Sequence, residues 1–185
     1  VLGPTGSGKS TFISNLIEEG QIKPKVDDGL DSCTKQLQHY FIDPPQSVVK
    51  SLNSRRIVLV DTPGFDDTEI SDFEILRRVA VWLSVSYKRQ MKVGALVYIY
   101  PLSSSRYTHK DHTNLRIFKK MCGNDARPRV IMVASKRDLY TKKETREKRE
   151  VQLRSHWKTM LDGGSKMEYV ENSHESASKL LKAVI

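Results

Sequence analysis

Eight residues near the start of the chain constrain it more than any others. Gly3-Pro-Thr-Gly-Ser-Gly-Lys-Ser10 satisfies GxxxxGK[ST] at every fixed position. An apolar Val1-Leu2 precedes it, and Ser10–Glu18 follows with Phe12, Ile13, Leu16 and Ile17 on one helical face. A phosphate chain bound in such a loop must be approached closely by backbone N–H groups, which the side-chain-free Gly3, Gly6 and Gly8 allow. The helix that follows turns its positive end toward the same anion. Thr5, Ser7 and Thr11 line or adjoin the loop, Lys9 can reach the outer phosphates, and the Ser10 hydroxyl can sit on Mg²⁺. A chance glycine-rich turn is the competing explanation, and the strand–loop–helix setting argues against it.

The rest of the chain alternates in period. Arg56–Asp61, Val93–Tyr100, Arg129–Ala134 and, more weakly, Lys166–Val170 read as buried strands. Helical spacing recurs in Phe73–Val85, Asp111–Met121, Lys142–Leu161 and Ser176–Val184. That order predicts an α/β fold of three layers, a mostly parallel doubly wound sheet between helices. Gln36–Ile42 and Arg56–Asp61 are joined by a short polar segment, which predicts one antiparallel pair. A length of 185 residues fits a single domain, residues 1–185. With 38% hydrophobic and 29% charged residues, the chain is neither a disordered tail nor membrane-embedded. Two cysteines, Cys33 and Cys122, make no disulfide framework and no metal pattern, so reduced thiols and a cytoplasmic location are expected.

Three further segments follow the first loop in chain order. Asp61-Thr-Pro-Gly64 closes an apolar strand, so it lies at the carboxyl edge of the sheet. Asp61 can hold Mg²⁺ through water, and the Gly64 N–H can touch a γ-phosphate. Alone the tetrapeptide is also a good turn. Thr34, in Asp28-Gly-Leu-Asp-Ser-Cys-Thr34, lies between these sites and can complete the Mg²⁺ shell with its hydroxyl. Ser135-Lys-Arg-Asp138 ends the strand RVIMVA. There the Asp138 carboxylate can accept from the ring N–H and exocyclic amine of guanine, a donor pair that adenine lacks. Lys136 can lay its stem along a base, and Ser135 stands where Asn or Thr is usual.

The four sites resemble those of a small GTPase. More narrowly, GPTGSGKSTFI, GLDSCT, VLVDTPGFDDT, YKRQMKVGALVYIY, FKKMCG and EYVENSHESASKLL resemble the septin and immunity-associated (AIG-type) group, and within it the single G-domain proteins abundant in fungi. The resemblance spans essentially the whole chain. It implies a P-loop NTPase fold with GTP and GDP and Mg²⁺ as ligands, and because no general base is identifiable, hydrolysis of GTP is expected to be slow. It places Asn172 and Ser173, within Glu171–Ser173, in a loop flanking the base. It also implies two loops, about Gly29–Thr34 and Gly64–Asp72, that order around the γ-phosphate. Lys9, Thr34 and Gly64 would then act in catalysis, and Ser10, Thr34 and Asp61 would hold the metal.

Two positions depart from the pattern. Ras-like switches carry Gln directly after the Gly64 position to orient water. Here Phe65 stands there and cannot hydrogen-bond water. Ser104 stands where Asp is expected in the fungal relatives. Asp66 and Asp67 are acid–base candidates, although a solvated acidic turn explains them as well. Binding without turnover, or an ATP-using P-loop enzyme, are the alternatives. The expected partners are guanine nucleotide and a second copy across the nucleotide face, with no nucleic acid and no membrane segment in this chain.

Other features favour plainer readings. Lys142–Lys158 holds seven basic residues and three glutamates, but Glu144–Lys148 and Glu150–Arg154 have the i,i+4 spacing of a solvated face. His109 and His112 lack the partners of a metal site. Cys33 adjoins Thr34 and reads as a small filler. Only Val1-Leu2 stand where a central strand is expected, which points to a longer first strand and to weak stability without it.

Overall fold

Alternating periods translate directly into layers. The computed structural model describes residues 1–18, 21–24, 36–44, 52, 56–65, 71–88 and 91–185. Thr34, Cys33, Asp66, Asp67 and the Gly29–Thr34 loop lie outside the described residues, as do residues 66–70 of the second expected loop. In chain order come α1 (Lys9–Ser14), β1 (Gln38–Ile42), β2 (Ile57–Asp61), α2 (Asp72–Lys88), β3 (Leu96–Pro101), α3 (His109–Cys122), β4 (Val130–Ser135), α4 (Lys143–Leu161), β5 (Lys166–Val170) and α5 (His174–Val184).

β1 pairs antiparallel with β2, from Gln38 opposite Asp61 to Ile42 opposite Ile57. β3, β4 and β5 form a parallel sheet, with Leu96 beside Val130 and Ile131 beside Lys166. Residues 1–3 stitch the two together. The Val1 nitrogen donates to Val60 O at 2.7 Å, while Leu2 N donates to Val97 O at 2.7 Å and Leu2 O accepts from Ile99 N at 2.8 Å. Among the described residues the spatial order is therefore β1, β2, residues 1–3, β3, β4, β5, with β1 running against the rest.

Both faces of this sheet are covered, and period two explains how one strand feeds two cores. Tyr98 and Tyr100 of β3 pack with Ile75, Leu76, Phe118 and Trp157 from α2, α3 and α4. Val97 and Ile99 pack on the other side with Phe12, Ile13, Leu180 and Leu181 from α1 and α5.

The boundaries differ from expectation in two places. α1 ends at Ser14 rather than Glu18, because Leu16 N and Ile17 N bond three residues back, to Ile13 O and Ser14 O, and tighten the turn. Leu16 and Ile17 stay buried all the same. β3 begins at Leu96 rather than Val93, after Gly94, which has no side chain to pack on a pleated surface. No described helix is long and apolar enough to cross a membrane.

Candidate functional site

All strands except β1 deliver their carboxyl ends to one edge, and there residues 3–10 turn back over the sheet. Gly8, the residue before α1, has φ 91°, a left-handed conformation that a side chain disfavours. Lys9 is 6% exposed, so its ammonium needs polar partners. It finds Gly3 O at 3.1 Å and Pro4 O at 2.9 Å, which fold the cation into the concavity of its own loop.

Asp61, the last residue of β2, is fully buried. The Ser10 hydroxyl donates to its Oδ2 at 2.6 Å. Two residues 51 positions apart thus present a hydroxyl and a carboxylate to each other. That all-oxygen pair has the donor chemistry of a hard cation such as Mg²⁺. Among the described residues there is no cluster of three or more His, Cys, Asp and Glu that could hold a metal by itself.

The loop after β2 is laced to the first loop. Phe65 N donates to Gly3 O at 3.0 Å, Thr5 N donates to Phe65 O at 2.8 Å, and the Thr62 hydroxyl donates to Val1 O at 2.9 Å. Gly64 sits so close to Thr5 that an added Cβ would lie 2.4–2.6 Å from its Oγ1, Cα and N. Only glycine fits that approach. Phe65 is 1% exposed, its ring among the core residues with Tyr98 at 6.3 Å. It serves as a wedge under the loop pair.

On the other flank, Ser135 ends β4 and is 4% exposed. Its hydroxyl donates to Ser7 O at 2.6 Å, so it fastens the strand to the phosphate-type loop. Lys136 and Asp138 are exposed, and Lys136 has φ 57°, the one positive φ outside glycine among the described residues. Arg137 between them pairs with Glu150 of α4 at 2.6 Å. Sequence reasoning missed this contact, because a pair thirteen residues apart across a loop has no period to announce it. Asn172 accepts from Asn15 Nδ2 at 3.0 Å, and Ser173 caps α5 by accepting from Ser176 N at 3.2 Å. The β5–α5 loop is thereby tied to the end of α1.

The structure thus brings Gly3 to Thr11, Asp61, Gly64 and Ser135 into direct contact, with Lys136, Asp138, Asn172 and Ser173 on the same edge. Away from it, other candidates resolve into packing. His112 lies 4.7 Å from the Tyr107 ring and 5.0 Å from that of His156, an aromatic cluster rather than a pair with His109. Burial pushes the Cys122 thiol up to about 12, so it stays protonated. Glu150 turns to Arg137 and Arg146 instead of Arg154. Ser104 lends its carbonyl to Arg149 of α4.

The chain is similar to known proteins in sequence and in fold. The chain is 30% identical over 129 residues to Cell division control protein 11 of Encephalitozoon cuniculi (strain GB-M1), a match covering 62% of this chain and 44% of that protein. It therefore spans less than half the length of that relative. Toc33 from Arabidopsis thaliana in complex with GDP and Mg²⁺ superposes with a TM-score of 0.71 at 18% identity, over 99% of this chain and 80% of that one. A structure of the chloroplast translocon components atToc33 and psToc159, for which dimerization is important for the GTPase activity, gives 0.70 at 17% identity, over 99% and 79%. These two likenesses show the fold, a P-loop α/β architecture. The AIG1 family model matches residues 1–156, most of the chain and every segment of the site except the β5–α5 loop, and the chain belongs to the AIG1 family.

Proposed function

We propose that this chain binds guanine nucleotide with Mg²⁺ and hydrolyses GTP slowly, as a nucleotide-dependent switch or assembly module. The observation that carries the reading is the Ser10 hydroxyl held 2.6 Å from the buried Asp61 carboxylate, next to a lysine folded into its own loop. A metal-and-phosphate site needs those three groups together, and nothing in packing alone requires them. The complex of Toc33 with GDP and Mg²⁺ supports it.

In this reading Gly3, Thr5, Gly6, Ser7, Gly8 and Thr11 surround the phosphates. Lys9 exchanges its two carbonyl partners for phosphate oxygens, and Gly64 offers its N–H. Ser10 and Asp61 would hold the metal, with Thr34 completing the set. Bound Mg²⁺ supplies charge neutralisation at the phosphate oxygens. Asp138 selects guanine, Lys136 lies along the base, Ser135 holds β4 to the loop, and Asn172 and Ser173 flank the base from the other side. Water would attack the γ-phosphorus in line as its bond to the β–γ bridging oxygen breaks, the water's proton ending on the released phosphate and GDP leaving, while Lys9 and the loop N–H groups stabilise the spreading charge. Slow turnover follows from Phe65, whose ring is in the core and orients no water. That same burial favours the second reading, binding without hydrolysis. A homodimer through the nucleotide face would bring in a group from the second copy, in keeping with the role of dimerization in atToc33 and psToc159. The reading assigns residues 1–185 to one G domain working in the cytoplasm.

Titration with mant-GDP, with and without Mg²⁺ and in competition with GTP and ATP, tests this. Mg²⁺-dependent binding displaced by GTP and not by ATP supports it. Single-turnover hydrolysis then separates the two readings. Absence of binding, or equal displacement by ATP, would overturn the guanine assignment.

A further inference from the structure

We infer that Glu150, on α4, is a positioning residue for guanine selection, acting through Arg137 and Tyr169 on the loops at both sides of the base. Three contacts form a closed network. Arg137 Nε donates to Glu150 Oε1 at 2.6 Å. The Tyr169 hydroxyl donates to Glu150 Oε2 at 3.2 Å. The Arg137 guanidinium carbon stands 4.8 Å from the centre of the Tyr169 ring, in cation–π contact. Both carboxylate oxygens of Glu150 are therefore engaged, and its side chain is only 13% exposed.

The placement of this network gives it a consequence. Arg137 lies between Lys136 and Asp138, within the turn that presents the carboxylate. Lys136 holds φ 57°, a left-handed conformation disfavoured for a side-chain-bearing residue. Such a turn persists only where its surroundings fix it. The next residue is fixed, by an ion pair to α4 and by the face of a β5 aromatic. Asp138, exposed and one residue further on, takes its direction from that anchored turn. Tyr169 is the penultimate residue of β5, so the same network also sets where the chain leaves the strand toward Asn172 and Ser173. Asn172 in turn is joined to Asn15 beyond α1. One largely buried glutamate thus connects both base-flanking loops. Charge-assisted bonds of this kind are roughly twice as strong as neutral ones, and bound on both oxygens the group also fixes direction.

The inference rests on the guanine reading of Asp138, and the experiment separates the two. Affinities for GDP and for inosine diphosphate, which lacks the 2-amino group, are measured by competition with mant-GDP for the unaltered chain, Asp138→Ala, Glu150→Ala, Glu150→Gln and Tyr169→Phe. Thermal unfolding is followed in parallel. The unaltered chain prefers GDP, and Asp138→Ala abolishes the preference. Glu150→Ala shrinks it by about tenfold, the scale of one lost directed bond. Glu150→Gln and Tyr169→Phe, which keep part of the network, fall between. If Asp138→Ala abolishes the preference and the Glu150 variants keep it, the positioning role is overturned and the guanine reading stands. If Glu150→Ala weakens both nucleotides equally, Glu150 is a structural residue only. If the unaltered chain shows no preference, both fall. Should Glu150→Ala fail to fold, Glu150→Gln and Tyr169→Phe decide by the same ratio.

Discussion

Phe65 stands directly after Gly64, where Ras-like switches carry a water-orienting glutamine. Its identity says that no side chain at this position orients water. Its environment says why the position is apolar: the ring is 1% exposed and packs among Leu2, Ile75 and Tyr98 beneath two loops whose backbones it also bonds. Replacing it with the glutamine of Ras-like switches would therefore not restore a water-orienting group. Phe65→Gln would leave an amide in an apolar site and lose the packing of the ring, lowering stability by about 3–5 kcal/mol, as for truncation of a core aromatic. Urea unfolding and single-turnover hydrolysis of the same variant check this together, with a fall in midpoint and no gain in rate expected. A stable, faster variant would mean that the side chain reaches the nucleotide. Ser135 is the complementary case, a small hydroxyl placed to bridge. Ser135→Ala removes the 2.6 Å bond to Ser7 O and leaves a buried acceptor, destabilising the chain by about 1–3 kcal/mol and loosening nucleotide binding with it.

Between elements, the α3–α4 contact carries a pH dependence with a definite sign. His156 of α4 stacks on Tyr107 at 4.1 Å and meets His112 of α3 edge-on at 5.0 Å. Burial, and then the neighbouring His112, hold its pKa below the ordinary 6.5, while Asp111 pulls the other way. As pH falls, the unfolded chain takes up this proton before the folded one. The stability is thus full above about pH 6.5 and declines as pH drops through the window below it. Urea midpoints compared between about pH 7.5 and about pH 5.5 should fall more for the unaltered chain than for His156→Phe, which keeps a flat ring and cannot titrate. Equal slopes would place the dependence elsewhere. The strands and helices themselves were largely legible beforehand, because each writes its own period into consecutive residues. The parallel order and the β1–β2 hairpin followed from how those periods alternate. The end of α1 was not legible, since Leu16 and Ile17 continue the apolar stripe after the hydrogen bonding has tightened. Nor was the Arg137–Glu150–Tyr169 network, which joins a loop, a helix and a strand. Of the site, Ser10, Asp61 and the loop glycines could be named because each falls in a dense local motif, but the bond between Ser10 and Asp61 could not. Gly64's contact with Thr5 could be seen only in three dimensions.

At the scale of the whole molecule, the site is built from segments that reach one edge from distant parts of the chain: residues 3–11, 61–65, 135–138 and 171–173. The two cores hold the sheet from either face, and at this edge the first loop is laced to the loop after β2 by backbone bonds, tied to β4 through Ser135 and Ser7, and linked to the β5–α5 loop where Asn15 meets Asn172 and His174. A ligand spanning the edge adds ties that the protein lacks, so binding should appear as stability of the entire fold. A ligand that binds only the native state contributes about 2.7 kcal/mol at a hundred times its Kd. For a chain of this size that raises Tm by about 5–11 °C. GDP with Mg²⁺ should produce this shift in a thermal melt, and chelation of the metal should remove part of it. Asp61→Asn, which weakens the carboxylate expected to hold Mg²⁺ through water, should abolish the metal-dependent part and spare the rest. Asp138→Ala should instead erase the difference between GDP and ADP while leaving the response to Mg²⁺. The two variants thus separate the phosphate end of the site from its base end. A shift that is the same for GDP and ADP in the unaltered chain would reduce the site to a general phosphate loop. A Mg²⁺ response that survives Asp61→Asn would move the metal away from the Ser10–Asp61 pair on which the functional reading stands.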